Sequence, residues 1–220
     1  MTISTGDILG HSQVGVYLSV VGNNLFYPAS LDKPVIEEIA QVFDIEMNPL
    51  LIGGSALIGS LICGNSKGIA VADIATEEDL DTLSSYGDVV ILESGVNAAG
   101  NLLECNDYGA VVSKSIPNPG VELIGEILGV KTSRVRVAGQ DTVGSLLVAN
   151  NKGILAHPDI TSYEVSEIEK TMDVPVMVGT VCFGSPYVGA GCVTSETNAL
   201  VGSGSTGPEL NRIEDALGLI

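Results

Sequence analysis

The chain has 220 residues, with 27 Asp or Glu against 9 Lys or Arg, a formal net charge of −18. So acidic a surface repels a phosphate backbone, which excludes broad nucleic-acid binding, DNA included, and leaves open a basic protein partner or a small local RNA contact. With 45% hydrophobic residues, 27 Gly, no Trp and three Phe, the composition describes a turn-rich globular body packed by aliphatic side chains.

Along the chain one pattern recurs: a glycine leads into an apolar strand, a polar turn follows, and a second apolar strand runs to a helix and an outgoing strand. The leading glycines are Gly15, Gly59, Gly100, Gly144 and Gly189, spaced 44, 41, 44 and 45 residues apart. In the first unit the turn is Gly22-Asn23-Asn24 and the helix stripe is Pro34, Ile36, Ile39 and Phe43. The second begins in the uncharged run 49–64, which is broken by Gly/Ser pairs and shorter than the about 20 residues a membrane span needs. Its turn is residues 64–68, and Thr76 with Asp79 makes a capping box ahead of Leu80 and Leu83.

The third unit turns at 106–109 and continues into a helix with Asn118, Pro119, Leu123, Ile127 and Leu128. The fourth turns at 150–153, and Ser162 is expected to cap a helix burying Val165, Ile168 and Met172. The fifth turns at 195–198, and Thr206 with Glu209 boxes a helix carrying Leu210, Ile213 and Leu217. Residues 143–172 and 188–217 superpose without a gap at an offset of 45. Such Asn/Asp/Gly turns tolerate the positive φ of tight hairpins.

Outgoing strands are expected at 50–52, 88–92, 133–138 and 174–178, and none follows the fifth helix. Residues 1–5 have no unit of their own, so they are expected to supply that strand. The fold class is therefore α/β, a repeat of five ββα(β) units of about 44 residues in a single closed ring domain over 1–220. The units are 14–54, 55–95, 96–139, 140–180 and 181–220, with 1–13 closing the fifth. Closure removes the exposed sheet edges of an open array.

In such a ring the residues after the leading glycines share one height. These are Val16, Ser60, Asn101, Ser145 and Ala190, all small or uncharged, and a weakly charged disc of this kind suits docking to a protein; crowding of inner strands near an axis also selects small residues. Residues 1–13 carry no basic start followed by an apolar run, so no secretory signal is expected. Cys63, Cys105, Cys182 and Cys192 form no CxxC pair and no ligand-like group with His11 or His157. They read as packed thiols in a reducing cytoplasm, with no metal or cofactor expected.

The segments SALIGSLICGNSKGIAV (55–71), NAAGNLLECNDYGAVV (97–112), VGSLLVANNKGILAHP (143–158), VPVMVGTV (174–181) and STGPEL (205–210) resemble the archaeal branch of the translation initiation factor six family. The resemblance spans nearly the whole chain. It implies the pentein fold, a β/α propeller of five units around a pseudo-fivefold axis, and a ribosome anti-association factor. Its implied partner is the large ribosomal subunit at its intersubunit face, through a ribosomal protein next to the sarcin–ricin RNA loop with minor rRNA contact, with neither DNA nor membrane involved. The implied docking residues are Ser60 and Asn101, then Tyr17, Ser145, Leu146 and Ala190 as ring equivalents. The resemblance further implies a cytoplasmic monomer, and the chain's ending with the fifth unit matches archaeal members rather than tailed eukaryotic ones. Two departures are local: residues 112–115 read Val-Ser-Lys-Ser where the family often has Leu-Val-His-Pro, and Cys182 stands where it often has Asn.

The same fold hosts guanidine-modifying enzymes with a cysteine nucleophile, for which Cys192, His157 and Asp159 are the candidates. A reactive thiolate needs a stabilising field and a base within reach. Cys192 instead sits in an apolar strand, at the position of Leu147 in the preceding unit, and His157 precedes Pro158 at a hairpin end. The glycine-rich 202–207 lacks the lysine of a phosphate loop and reads as a strand-to-helix connection. A structural oligomer would instead carry a large exposed apolar patch.

Overall fold

The computed structural model describes residues 2–92 and 98–220, so the expected boundary at 95/96 lies outside the described residues. In chain order the elements are β1 (Ile3–Gly6), α1 (Val14–Tyr17), β2 (Ser19–Val21), β3 (Asn24–Pro28), α2 (Lys33–Val42) and β4 (Glu46–Leu50). Next come α3 (Ile58–Leu61), β5 (Ile62–Gly64), β6 (Gly68–Ala72), α4 (Glu77–Leu83) and β7 (Asp88–Leu92). Then follow α5 (Ala99–Leu102), β8 (Leu103–Cys105), β9 (Gly109–Ser113), α6 (Asn118–Leu128) and β10 (Lys131–Val135). The last are α7 (Val143–Leu146), β11 (Leu147–Ala149), β12 (Ile154–Ala156), α8 (Ser162–Met172), β13 (Val176–Val178), α9 (Val188–Gly191), β14 (Cys192–Thr194), β15 (Ala199–Gly202) and α10 (Gly207–Leu217).

These strands make five three-stranded sheets in a mixed α/β chain. In each, a hairpin forms an antiparallel pair, and in the first four a helix crosses over to a third strand that pairs parallel with the second, as β3–α2–β4 does. The last sheet has no strand after α10; β1 lies parallel to β15 there, with Ile3 opposite Ala199 and Gly6 opposite Gly202.

The leading glycines are not in strands. Each is the second residue of a one-turn helix, α1, α3, α5, α7 or α9, and the strand begins only after it. The cause is a backbone approach that sequence periodicity does not register. A Cβ on Gly59 would lie 2.0 Å from the carbonyl oxygen of Gly15, on Gly100 1.9 Å from that of Gly59, and on Gly144 2.0 Å from that of Gly100. The circuit continues with Gly189, 2.0 Å from Gly144 O, and returns with Gly15, 2.1 Å from Gly189 O. Only hydrogen fits in those directions, in the manner of Cα–H···O contacts between packed helices.

At the other end of the hairpins the turns are stitched by buried asparagines. Asn65, Asn106 and Asn150 each accept through Oδ1 from two backbone N–H groups of their own turn. Each also donates through Nδ2 to a carbonyl of the next turn and to one at the end of the next long helix; for Asn106 these are Asn150 O at 3.3 Å and Met172 O at 2.9 Å. Ser195, the fifth counterpart, accepts from Thr197 and Asn198 N–H but is too short to bridge. Lys67 and Lys152 reinforce the same seams by donating to Gly129 O and Gly218 O, the carbonyls of left-handed C-caps.

The cores lie between neighbouring sheets. Val21, Phe26 and Leu50 of the first sheet pack with Ile62 and Ile69 of the second and with Leu83 of α4, and Val193 and Leu200 of the last sheet pack with Leu25 of the first, with Leu18 and with Ile39 of α2. The capping boxes expected at Thr76/Asp79 and Thr206/Glu209 are present. In α8 the cap is Thr161 boxed with Glu164, not Ser162, because Glu164 supplies the reciprocal bond three residues on. Outgoing strands match at 88–92, whereas β4 and β10 begin earlier than expected because their pairing follows β3 and β9 from the first residue.

Gly100→Ala is expected to lower stability by more than about 3 kcal/mol in chemical denaturation, because the methyl group meets backbone and cannot be accommodated by a rotamer. Gly207→Ala, with nothing within 4 Å of the added Cβ, serves as the neutral control. Asn106→Ala should cost about 2–3 kcal/mol, since four backbone groups lose their partner at once.

Candidate docking face

The third position of each one-turn helix holds Val16, Ser60, Asn101, Ser145 or Ala190, and none is charged. Val16, Asn101, Ser145 and Ala190 are partly exposed; Ser60 is 8% exposed. The structure brings two of the candidates into direct contact: Ser145 Oγ donates to Asn101 Oδ1 at 3.1 Å. Tyr17, also partly exposed, stacks on His11 with ring centroids 5.8 Å apart.

Leu146, expected on this face, is a correction. It is wholly buried in the fourth core, and Leu61 and Leu102 at the same position are 6% and 5% exposed. First and fourth residues of a single helical turn share one side, and in α3, α5 and α7 that side faces the core, whereas Tyr17, the fourth residue of α1, packs on its core while staying partly exposed.

Between the short helices and the inner strands lies a central cavity of about 90 Å³, touched by Gly15, Gly59, Gly100, Gly144 and Gly189. Glu104 lines it, midway along β8, where the matching residues are Val20, Cys63, Val148 and Val193. Burial, and then the neighbouring Cys63, push its carboxyl well above the usual range. The Cys63 and Cys105 sulfurs are 3.7 Å apart, both free thiols.

Sequence reasoning missed the apolar residues that stand just before the short helices. Leu57 and Tyr187 are N-cap residues of α3 and α9, 41% and 46% exposed, while Leu9 and Phe183 occupy tight turns at 46% and 82%. The available signal was a large apolar residue beside glycine in a polar stretch, as in Leu9-Gly10 and Phe183-Gly184. Cys182 and Phe183 take positive φ of 49° and 61°, and the turn is fixed by Cys182 N–H to Ser205 Oγ and Gly184 N–H to Glu209 Oε1, both 2.8 Å. A left-handed non-glycine pair costs energy and persists because surrounding bonds determine it.

Glu209 therefore has two tasks. It closes its own capping box with Thr206 and also ties the turn ahead of α9, with Thr180 Oγ1 a further donor at 2.8 Å. Asp79 holds Gly53 N–H and Glu164 holds Gly139 N–H in the same way. Burial alone would raise the Glu209 pKa, but the donors from Thr206, Gly184 and Thr180 outweigh it and hold the carboxyl down at about 2.

Neither Cys192 nor His157 is set up for nucleophilic chemistry. Cys192 is 2% exposed in the fifth core, and burial pushes its thiol far above the range of a reactive cysteine. His157 is 5% exposed with Nδ1 accepting from Asp159 N–H, the ordinary bond of a turn histidine. Among the described residues no three His, Cys, Asp or Glu side chains converge as metal ligands, and no helix is long and apolar enough to cross a membrane.

The eIF-6 family model matches residues 3–216. The chain belongs to the eIF-6 family. That is by name a family of translation factors and not of enzymes, which removes the guanidine-modifying alternative built on Cys192, His157 and Asp159. Among its relatives, the translation initiation factor 6 of Methanoculleus marisnigri is 38% identical over 217 residues, 98% of each chain. That of Haloquadratum walsbyi is 37% identical over 213 residues, 96% of this chain and 94% of its own. That of Methanosarcina acetivorans is 34% identical over 220 residues, 99% of each.

A carboxylate whose pKa is depressed on folding contributes stability above its unfolded pKa, and that contribution is lost as pH falls through the folded value. The Glu209 contribution should thus be complete near neutral pH and disappear as pH falls from about 4.5 toward about 2. Glu209→Gln should be about 1–2 kcal/mol less stable at pH 7, with the gap to the wild type closing in urea titrations below pH 3.

Proposed function

We propose that this eIF-6 family member is a translation factor that binds the large ribosomal subunit at its intersubunit face and keeps the small subunit off sterically, the same occupancy also serving large-subunit biogenesis. The match of the family over residues 3–216 carries this reading. Relatives named translation initiation factor 6, aligned over nearly their full length, support it. Steric exclusion needs no reacting group, in keeping with a family of factors.

The proposed fold is the pentein ring, five units over 14–54, 55–95, 96–139, 140–180 and 181–220 around a pseudo-fivefold axis, with 1–13 closing the fifth. The glycine circuit and five sheets of one topology support it. The proposed docking face is Tyr17, Asn101, Ser145 and Ala190, with Ser60 at its margin and Leu146 packing beneath. The partner is a basic ribosomal protein next to the sarcin–ricin loop with minor rRNA contact; the net charge of −18 draws the first and limits the second. The factor acts as a cytoplasmic monomer without cofactor, away from DNA and membrane.

Purified chain should sediment with isolated large subunits, not with small ones, and should inhibit subunit joining. Absence of binding to either subunit rejects the reading. Asn101→Lys should weaken large-subunit binding at least tenfold, the effect of losing about 1.4 kcal/mol, and leave thermal unfolding nearly unchanged.

A further inference from the structure

Asn101 is the only carboxamide among the five third-position residues, and its neighbour in the circuit of short helices, Ser145, donates to its Oδ1 across 44 positions of sequence. The amide plane is thus set from outside its own helix. With Oδ1 engaged, a carboxamide keeps two N–H donors on Nδ2. No described residue accepts from that nitrogen. Asn101 is partly exposed, and every buried side-chain nitrogen or oxygen among the described residues has a partner.

We infer that Ser145 is a positioning residue that holds Asn101 with its N–H pair turned toward the docking partner, which must present a hydrogen-bond acceptor there, a backbone carbonyl or a carboxylate. The inference rests on the docking face proposed above and names what that face selects. A carboxamide free to rotate offers either end; fixed, it refuses a lysine or arginine tip, because donor would meet donor. That matters in a chain of net charge −18, which attracts cationic side chains without regard to register. One donor pair at a fixed point supplies the register that bulk charge cannot. Holding the amide in advance also removes the ordering cost from the binding step.

The test is a double-mutant cycle read by the dissociation constant for isolated large subunits, with thermal unfolding recorded for each variant. Ser145→Ala should weaken binding about five- to tenfold, the range of one net hydrogen bond, while Ser145→Thr, which keeps the hydroxyl, restores it. Asn101→Asp keeps the size and the Ser145 bond but exchanges the donor pair for acceptors, and should bind as poorly as Asn101→Ala. Adding Ser145→Ala to Asn101→Ala should cost clearly less than Ser145→Ala costs alone, since the positioning role of Ser145 ends once its client is gone and only its own contact on the face remains. Wild-type binding by Ser145→Ala or by Asn101→Asp, or multiplying effects in the double variant, overturns the inference even if Asn101→Lys still weakens binding and the docking face stands. If Asn101→Lys binds normally, the docking face itself is wrong and this inference falls with it.

Discussion

Everything in this molecule is arranged around five backbone approaches in which a glycine Cα sits against the carbonyl oxygen of the preceding glycine. The direction of a side chain is occupied to within 1.9–2.1 Å of where Cβ would be, at all five positions. Such contacts are individually weak, of order 0.5–1 kcal/mol. Their importance is steric: they set how closely the short helices approach and so fix where the inner strands, cores and third-position residues must lie. A single methyl group anywhere in the circuit would meet the backbone of the neighbouring short helix and of the residue that follows it.

The two ends of the hairpins are held by different means. At the short-helix end the fit is one of bare backbone, with carboxylates of Asp79, Glu164 and Glu209 tying each turn to the helix that follows it. At the turn end the fit is polar, through the amides of Asn65, Asn106 and Asn150 and the ammonium groups of Lys67 and Lys152. The first end is left largely uncharged at its centre, where Asn101 and Ser145 sit. The docking proposed for this end would therefore draw on residues other than those that hold the hairpins together.

Much of the architecture was legible because it repeats. The spacing of Gly15, Gly59, Gly100, Gly144 and Gly189 located the hairpins of the five sheets, and the Thr76 and Thr206 boxes gave helix starts to the residue. The short helices were not legible, since four residues such as Val-Gly-Ser-Leu carry no period that distinguishes a turn of helix from a strand. Leu146 entered the face only as a ring equivalent of the residues around Tyr17, whereas in its single turn of helix it joins Val143 in the core. Glu104 escaped notice because a carboxylate in the sequence Leu-Glu-Cys looks like a surface residue of a half-buried strand; only three-dimensional closure turns that surface into the lining of a cavity.

The placement of β1 has a consequence for how the protein is made. Its partner β15 lies 196 positions later, as Ile3 opposite Ala199 implies. By the logarithmic law of loop closure, that span costs only about 2 kcal/mol more than a local crossover such as the 22 positions from Asn24 to Glu46, so equilibrium tolerates it. Biosynthesis does not treat the two alike. The strand β1 must wait, unpaired, until the 196 positions that separate it from its partner have been added, so the last sheet is completed after the other four. A protein assigned to the machinery of translation thus depends on that machinery to bring its two most distant strands within reach of each other.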